Sequence, residues 1–274
     1  MVCFLCKKNN FEIVYKLPSK KVIRCLNDGL FLVEETKRPV KKLYGKEYYE
    51  NSPYSNFLNL NENYFLKKLY KIKELTKNTD PIILDVGCGW GDFLKLLKKQ
   101  GINYLGIDQS DEAVVICRSN KLNAVNLTLQ DLIRQKKQYS AITFFQVIEH
   151  LKNPLLILTA AKKLLKKNGI ILLTTPNNDS PLRKIFGAKW SVYNENSHFV
   201  FYDKQTLRKI LEVAGFKNIE IRIDSPRFLS IGYVFNRLNE MDQKSYSPKV
   251  LKSFFYDFPV PTDFFGDLEA VASV

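Results

Sequence analysis

The residues best equipped for chemistry in this chain lie in one short stretch. Asp85-Val86-Gly87-Cys88-Gly89-Trp90-Gly91 follows the apolar run Ile82–Val86 and leads into an amphipathic segment that runs to Lys99. Glycines between a strand and a helix let the backbone approach a ligand closely. The unpaired N–H groups of a helix starting at Gly91 favour a carboxylate or a phosphate. About twenty residues on, Asp108 ends the next apolar run, where a carboxylate accepts hydrogen bonds from both hydroxyls of a ribose.

Two cofactor classes use such a loop. The dinucleotide pattern G-x-G-x-x-G/A asks for a small residue where Asp92 stands and has no call for an acid at Asp85, which weakens a nicotinamide reading. An acid at Asp85 suits a ligand bearing an ammonium group, and S-adenosylmethionine (SAM) carries both an α-ammonium and a sulfonium. If the partner of such a cofactor is a hydroxyl, a base is useful near neutral pH, and histidine is the natural one. The chain has two, His150 and His198. His150 follows the apolar run Ala141–Val147, at the strand end where ligands of open α/β sheets bind; a helix-starting histidine with local hydrogen bonds is an equal alternative. Glu149 beside it either fixes its tautomer or faces solvent. His198 lies in Asn194-Glu195-Asn196-Ser197-His198-Phe199, as a base or as an orienting donor.

The elements that must position these residues alternate. Apolar strand-like runs at Ile82–Val86, Tyr104–Ile107, Leu127–Leu129, Ala141–Val147 and Ile170–Thr174 are separated by helical patterns at Gly91–Lys99, Asp111–Lys121 and from Asn153, with Pro154 in the first turn. The lysines Lys162, Lys163, Lys166 and Lys167 read as a solvated helix face. Asp203 opens a further helix that stops at Gly215, and Ile219–Ile223 and Leu268–Val274 read as strands, the second returning antiparallel to the first at the sheet edge. Alternation of this kind specifies an α/β fold, a parallel sheet with helices on both faces. The domain plan is a cysteine module over 1–36, a connecting helical segment over 37–80 with Tyr64, Phe65, Leu69 and Ile72 on one face, and a cofactor domain over 81–274. That domain carries an aromatic insertion at about 225–266.

Leu84-Asp85-Val86-Gly87-Cys88-Gly89-Trp90-Gly91 resembles the first motif of class I SAM-dependent methyltransferases. Gly106-Ile107-Asp108-Gln109-Ser110 resembles their ribose-binding segment, and Gln130-Asp131-Leu132 the segment whose acid holds the adenine amino group. Phe145-Gln146-Val147-Ile148-Glu149-His150-Leu151 is similar to the fourth-strand motif of the ubiquinone-biosynthesis-like branch. So are Lys166-Lys167-Asn168-Gly169, Thr175-Pro176-Asn177 and the histidine before an aromatic pair, His198 to Tyr202. The resemblance covers roughly Tyr44 to Phe216. It implies a Rossmann-like, seven-stranded, mostly parallel sheet, SAM as cofactor, and a cofactor site made of Asp85, Gly87, Cys88, Gly89, Gly91, Asp108, Gln109, Asp131, Leu132 and Gln146. Methyl transfer to a hydroxyl of a small molecule or a glycan sugar follows, with His150 and His198 on the acceptor side. Trp190, Tyr193, Phe199, Tyr202 and the pair Tyr48-Tyr49 are candidate pocket walls or plain core. An NAD-linked sugar oxidoreductase and a non-catalytic scaffold of the same fold remain the alternatives.

Cys3-x-x-Cys6 and Cys25-x-x-Asp28 resemble the two knuckles of a zinc ribbon found in front of some sugar-methylating relatives, with Asp28 where a fourth cysteine is usual. The resemblance implies zinc at Cys3, Cys6, Cys25 and Asp28, against a degenerate knuckle that folds without metal.

Composition bounds the partners. A net charge of +14 would suit nucleic acid if the lysines clustered, but they are spread over helices. The fourth-strand motif also lacks the Asn/Asp-Pro-Pro-aromatic run by which base-methylating enzymes gather a flipped base, so nucleic acid is disfavoured. No window approaches the roughly 18 apolar residues of a membrane span, and the start of the chain is unlike a signal peptide. A cytoplasmic location is the expectation. An oligomer is left open, with the aromatic 225–266 segment as one surface for it.

Overall fold

A computed structural model describes residues 1–35, 57–225, 228–230, 259–261 and 266–274. Tyr48, Tyr49 and most of the 225–266 insertion lie outside the described residues.

The N-terminal module is an antiparallel meander of β1 (Phe11–Lys16), β2 (Lys20–Cys25) and β3 (Phe31–Glu35). Helix α1 (Phe57–Thr76) then turns Tyr64, Phe65, Leu69 and Ile72 inward, as their spacing predicts. The chain continues as β4 (Ile83–Val86), α2 (Asp92–Lys99), β5 (Tyr104–Ile107), α3 (Asp111–Ser119), β6 (Ala124–Val125), α4 (Leu129–Arg134), β7 (Tyr139–Phe145), α5 (Pro154–Leu164) and β8 (Leu165–Thr175). After the short helices α6 (Pro181–Phe186) and α7 (Ser191–Asn194) come β9 (Val200–Phe201), α8 (Lys204–Val213), β10 (Lys217–Ile223), β11 (Phe228–Ser230), β12 (Pro259–Pro261) and β13 (Leu268–Ser273).

The principal sheet has seven strands in the order β10-β13-β8-β7-β4-β5-β6, with β13 the one reversed strand. This is the expected Rossmann-like arrangement. Its central strands β4, β7 and β8 are buried on both faces, which is why their sequences are continuous apolar runs without alternation. Helix α2 shows the complementary pattern, burying Phe93, Leu94, Leu96 and Leu97 while Lys98 and Lys99 face water.

Two details differ from the sequence reading. Leu127–Leu129 is not a strand: Thr128 and Asp131 form a capping box that starts α4 at Leu129, and the paired strand is Ala124–Val125. Lys166 and Lys167 belong to the irregular beginning of β8 and not to the preceding helix, because Asn168 takes a left-handed turn (φ 64) that the helix cannot continue through. As expected, β13 pairs antiparallel with the edge strand β10, and it lies between β10 and β8.

The cysteine module is not isolated. β3 pairs with β9, so the N-terminal meander shares a four-stranded sheet with the segment that follows His198. Lys20, buried in β2, donates to the Glu195 carbonyl at 2.5 Å, and burial lowers its pKa to about 8.

Candidate active site

Parallel strands deliver their carboxyl ends to one edge of the sheet. Chain order runs outward from β4 to β5 and β6 on one side and from β7 to β8 on the other, so the topological switch lies between β4 and β7. Ligands of open α/β sheets bind in the crevice at that point. Gln146, the Asp85–Gly91 turn, Asp108 and Asp131 follow the ends of β7, β4, β5 and β6 respectively, in an order that matches their order across the sheet.

The turn is shaped by positive backbone angles at Gly87 (φ 71), Gly89 (φ 51) and Gly91 (φ 74). Gly87 and Cys88 both donate to the Ile107 carbonyl, at 2.8 and 3.2 Å, which folds the loop onto the end of β5. A side chain at Gly87 would strike Val147 at 2.7 Å, and one at Gly91 would strike Leu122 and Cys117 at 2.6 and 2.8 Å. Gly89 is different: nothing lies within 4 Å of the place a Cβ would take. Two glycines are walled in by protein, and the third faces open space above the crevice.

Two carboxylates belong to this end of the sheet. Asp85 is buried and accepts from the Thr143 hydroxyl at 2.7 Å; burial pushes its pKa up to about 7. Asp108 accepts from the Gly89 N–H at 3.0 Å through Oδ2 and from the Ser110 N–H at 2.9 Å through Oδ1. Cys88 and Cys117 pack beneath the turn, and the Cys117 thiol donates to the Gly89 carbonyl at 3.3 Å.

The other expected cofactor residues are placed as follows. Gln146 turns with φ 58 and its amide donates to Asp267 at 3.2 Å. Gln109 is exposed beside Asp108. Asp131 accepts from the Thr128 N–H at 3.0 Å and from Arg134 at 3.1 Å, and its pKa is lowered mainly by the Thr128 hydroxyl. The Leu132 side chain is wholly within the core, so only its backbone is left to meet a ligand. Sequence reasoning missed Thr143, the partner of Asp85; a hydroxyl inside the apolar run Ala141–Val147 was the available signal.

The two histidines expected on the acceptor side come together. His150 ends a single 3-10 turn (Ile148–His150) after β7, His198 precedes β9, and their ring centroids are 4.5 Å apart. Glu149 does not face solvent; it is buried and accepts from the Thr175 hydroxyl at 3.0 Å. Of the expected pocket aromatics, Trp190, Tyr193 and Tyr202 are fully packed, and Phe199 lies under the Lys152 ammonium, 5.0 Å from its ring centre.

The four N-terminal candidates also converge. Cys3, Cys6, Cys25 and Asp28 each offer a ligand atom, all within 4.8 Å of one another. The Cys3 thiol donates to Asp28 at 3.2 Å and the Cys6 and Cys25 sulfurs are 3.5 Å apart. The residue after each pair, Lys7 (φ 62) and Gly29 (φ 79), is left-handed, which turns both knuckles toward one point.

A family model described as a methyltransferase domain matches residues 60–221, more than half of the 274-residue chain. The chain therefore belongs to this methyltransferase-domain family. It is 29% identical over 170 residues to the ubiquinone biosynthesis O-methyltransferase of Dinoroseobacter shibae, a match that covers 58% of this chain and 65% of that protein. The corresponding enzyme of Glaesserella parasuis is 32% identical over 121 residues, covering 39% of this chain and 51% of the relative. The chain thus spans about half to two thirds of the length of these curated relatives.

Among solved structures, a SAM-dependent methyltransferase from Archaeoglobus fulgidus superposes with a TM-score of 0.53 at 21% identity, covering 84% of this chain and 97% of the other. The plantazolicin methyltransferase BamL, solved with SAH, superposes at 0.52 with 15% identity, covering 83% and 93%. The fold is the one SAM-dependent methyltransferases share, and the open space at Gly89 beside the Asp108 carboxylate fits such a cofactor.

Proposed function

We propose that this chain transfers a methyl group from SAM to a hydroxyl of a small molecule or of a glycan sugar. The observation that carries the reading is the tie between Gly89 and Asp108, which sets a ribose-binding carboxylate against the one loop glycine with room beside it. Asp85, Gly87 and Gly89 surround the methionine part, with Cys88 and Gly91 completing the turn, Asp108 and Gln109 serve the ribose, Asp131 and the Leu132 backbone serve the adenine, and Gln146 closes the side toward the acceptor. SAM supplies an electrophilic methyl group, so the protein's share is to align an acceptor oxygen and exclude water. His150 and His198 serve the acceptor's hydroxyl group; burial holds the His150 imidazole below its usual pKa, hence neutral. The names of the curated relatives support oxygen as the acceptor atom.

Incubation with labelled SAM and fractionated glycans and metabolites tests this: one hydroxyl-bearing fraction is expected to gain label. Tight NAD binding without SAM binding would overturn it.

Zinc at Cys3, Cys6, Cys25 and Asp28 belongs to the same proposal, as a brace for the meander that supports β9. Elemental analysis is expected to find about one zinc per chain, lost in Cys6→Ser. No helix among the described residues is long and apolar enough to cross a membrane. A cytoplasmic site of action completes the reading, and microscopy of a tagged chain checks it.

A further inference from the structure

Each of the two histidines has one ring nitrogen committed to the backbone. His150 Nδ1 lies 3.1 Å from the Ser197 carbonyl and His198 Nδ1 lies 3.0 Å from the Val192 carbonyl. A carbonyl only accepts, so both protons sit on Nδ1 and each Nε2 carries a lone pair. Metal-binding histidines are held in this way, with the outer nitrogen fixed by a carbonyl or a carboxylate.

Glu149 supplies the third group. Its Oε2 is oriented by the Thr175 hydroxyl, and its Oε1 is 3.9 Å from His150 Nε2. One ligand atom from each of Glu149, His150 and His198 lies within 4.8 Å of the others. A first-row ion bound at roughly 2.0–2.2 Å spaces neighbouring ligands by about 3–3.6 Å, so small side-chain adjustments close the set.

We infer that Glu149, His150 and His198 form a two-histidine, one-carboxylate site for a divalent transition ion of the manganese-to-zinc series. Two imidazoles and one carboxylate suit that series better than magnesium or calcium, which prefer all-oxygen shells. Three protein ligands leave coordination positions open to an oxygen of the acceptor. Resting on the methyl-transfer reading, the ion lowers the acceptor hydroxyl's pKa, so that its proton is lost to water before the oxygen–methyl bond forms and the sulfur–methyl bond breaks. The imidazoles then serve as ligands and not as bases.

The test uses the full chain, freed of metal by chelator and dialysis, and titrated with Mn²⁺ followed by electron paramagnetic resonance. Mn²⁺ is chosen because thiolates bind it poorly, which keeps the N-terminal cysteines out of the measurement. One Mn²⁺ site is expected, unchanged in Cys6→Ser and weakened about tenfold or more in His198→Gln and in Glu149→Gln. His150→Gln is the second variant should either of these fail to fold by circular dichroism. Absence of Mn²⁺ binding, or binding indifferent to all three substitutions, overturns the inference. Calorimetric SAM titration of the same samples separates the two ideas. Absence of Mn²⁺ binding by the unsubstituted chain with SAM binding intact rejects the metal alone, while absence of SAM binding by that chain rejects the methyl-transfer reading.

Discussion

The Gly89 N–H donates to Oδ2 of Asp108 at 3.0 Å, so the glycine turn after β4 and the acid after β5 form one rigid unit. Replacing Asp108 by Ala removes both the proposed ribose acceptor and the brace of the turn. Hydrogen bonds to a charged group contribute about 1.5–3 kcal/mol each, so SAM affinity measured by calorimetry is expected to fall by a factor on the order of 100. An unchanged affinity would remove Asp108 from the site.

Two glycines of the same turn are expected to answer differently to alanine. At Gly91 (φ 74) the new Cβ collides with Leu122 and Cys117, and Gly91→Ala should lose about 2 kcal/mol or more of stability. At Gly89 (φ 51) there is open space, so only the left-handed backbone cost of about 1–2 kcal/mol applies. Gly89→Ala should nevertheless bind SAM at least about tenfold more weakly, because the methyl enters the ligand's room. Thermal melts paired with SAM titrations distinguish the two.

Asp85 sets a pH dependence. Its folded pKa, near 7, lies above the ordinary 3.8, so the ligand-free protein binds an extra proton between these values and gains stability as pH falls through that window. In the proposed site SAM binding works the other way, since the cofactor's cationic groups favour an ionised Asp85. SAM affinity is expected to rise as pH increases from about 6 to 8 and to level off above that. Asp85→Asn should raise the ligand-free melting temperature at pH 8, by on the order of 5 °C, and bind SAM poorly at every pH.

Lys68 ties helix α1 to the far edge of the sheet. Its ammonium, almost wholly buried, bridges Asp224 and Glu269, and Glu269 also accepts from Lys71 at 3.1 Å and Arg222 at 2.7 Å. Burial alone would raise the Glu269 pKa, but Lys68 and Lys71 hold it below the ordinary carboxylate value. That stabilisation is present at neutral pH and is lost as pH falls through the lowered value. Lys68→Met leaves two buried carboxylates facing each other and should cost about 3–5 kcal/mol in chemical denaturation. A loss below about 1 kcal/mol would mark the network as ordinary surface pairing.

Much of the sheet's carboxyl edge was legible without coordinates. Strand-length apolar runs alternating with amphipathic helices imply a parallel sheet, and parallel strands must end on one edge, so Asp85, Asp108, Asp131 and Gln146 were bound to share it. The short strand before α4 was misread because Leu127–Leu129 is apolar, whereas the capping box at Thr128 is what decides where the helix begins. Lys68 stood in plain view within the apolar stripe Tyr64, Phe65, Leu69 and Ile72, yet its partners lie 156 and 201 residues away.

The sequence by itself determined the turn, its acids and their order, because strand period, glycine freedom and helix start are local properties. Only the tertiary structure decided that His150 and His198 face one another beside a buried Glu149, and that the N-terminal meander pairs with β9. Those contacts join segments far apart in the chain, and no local pattern encodes which distant surface a buried side chain will meet.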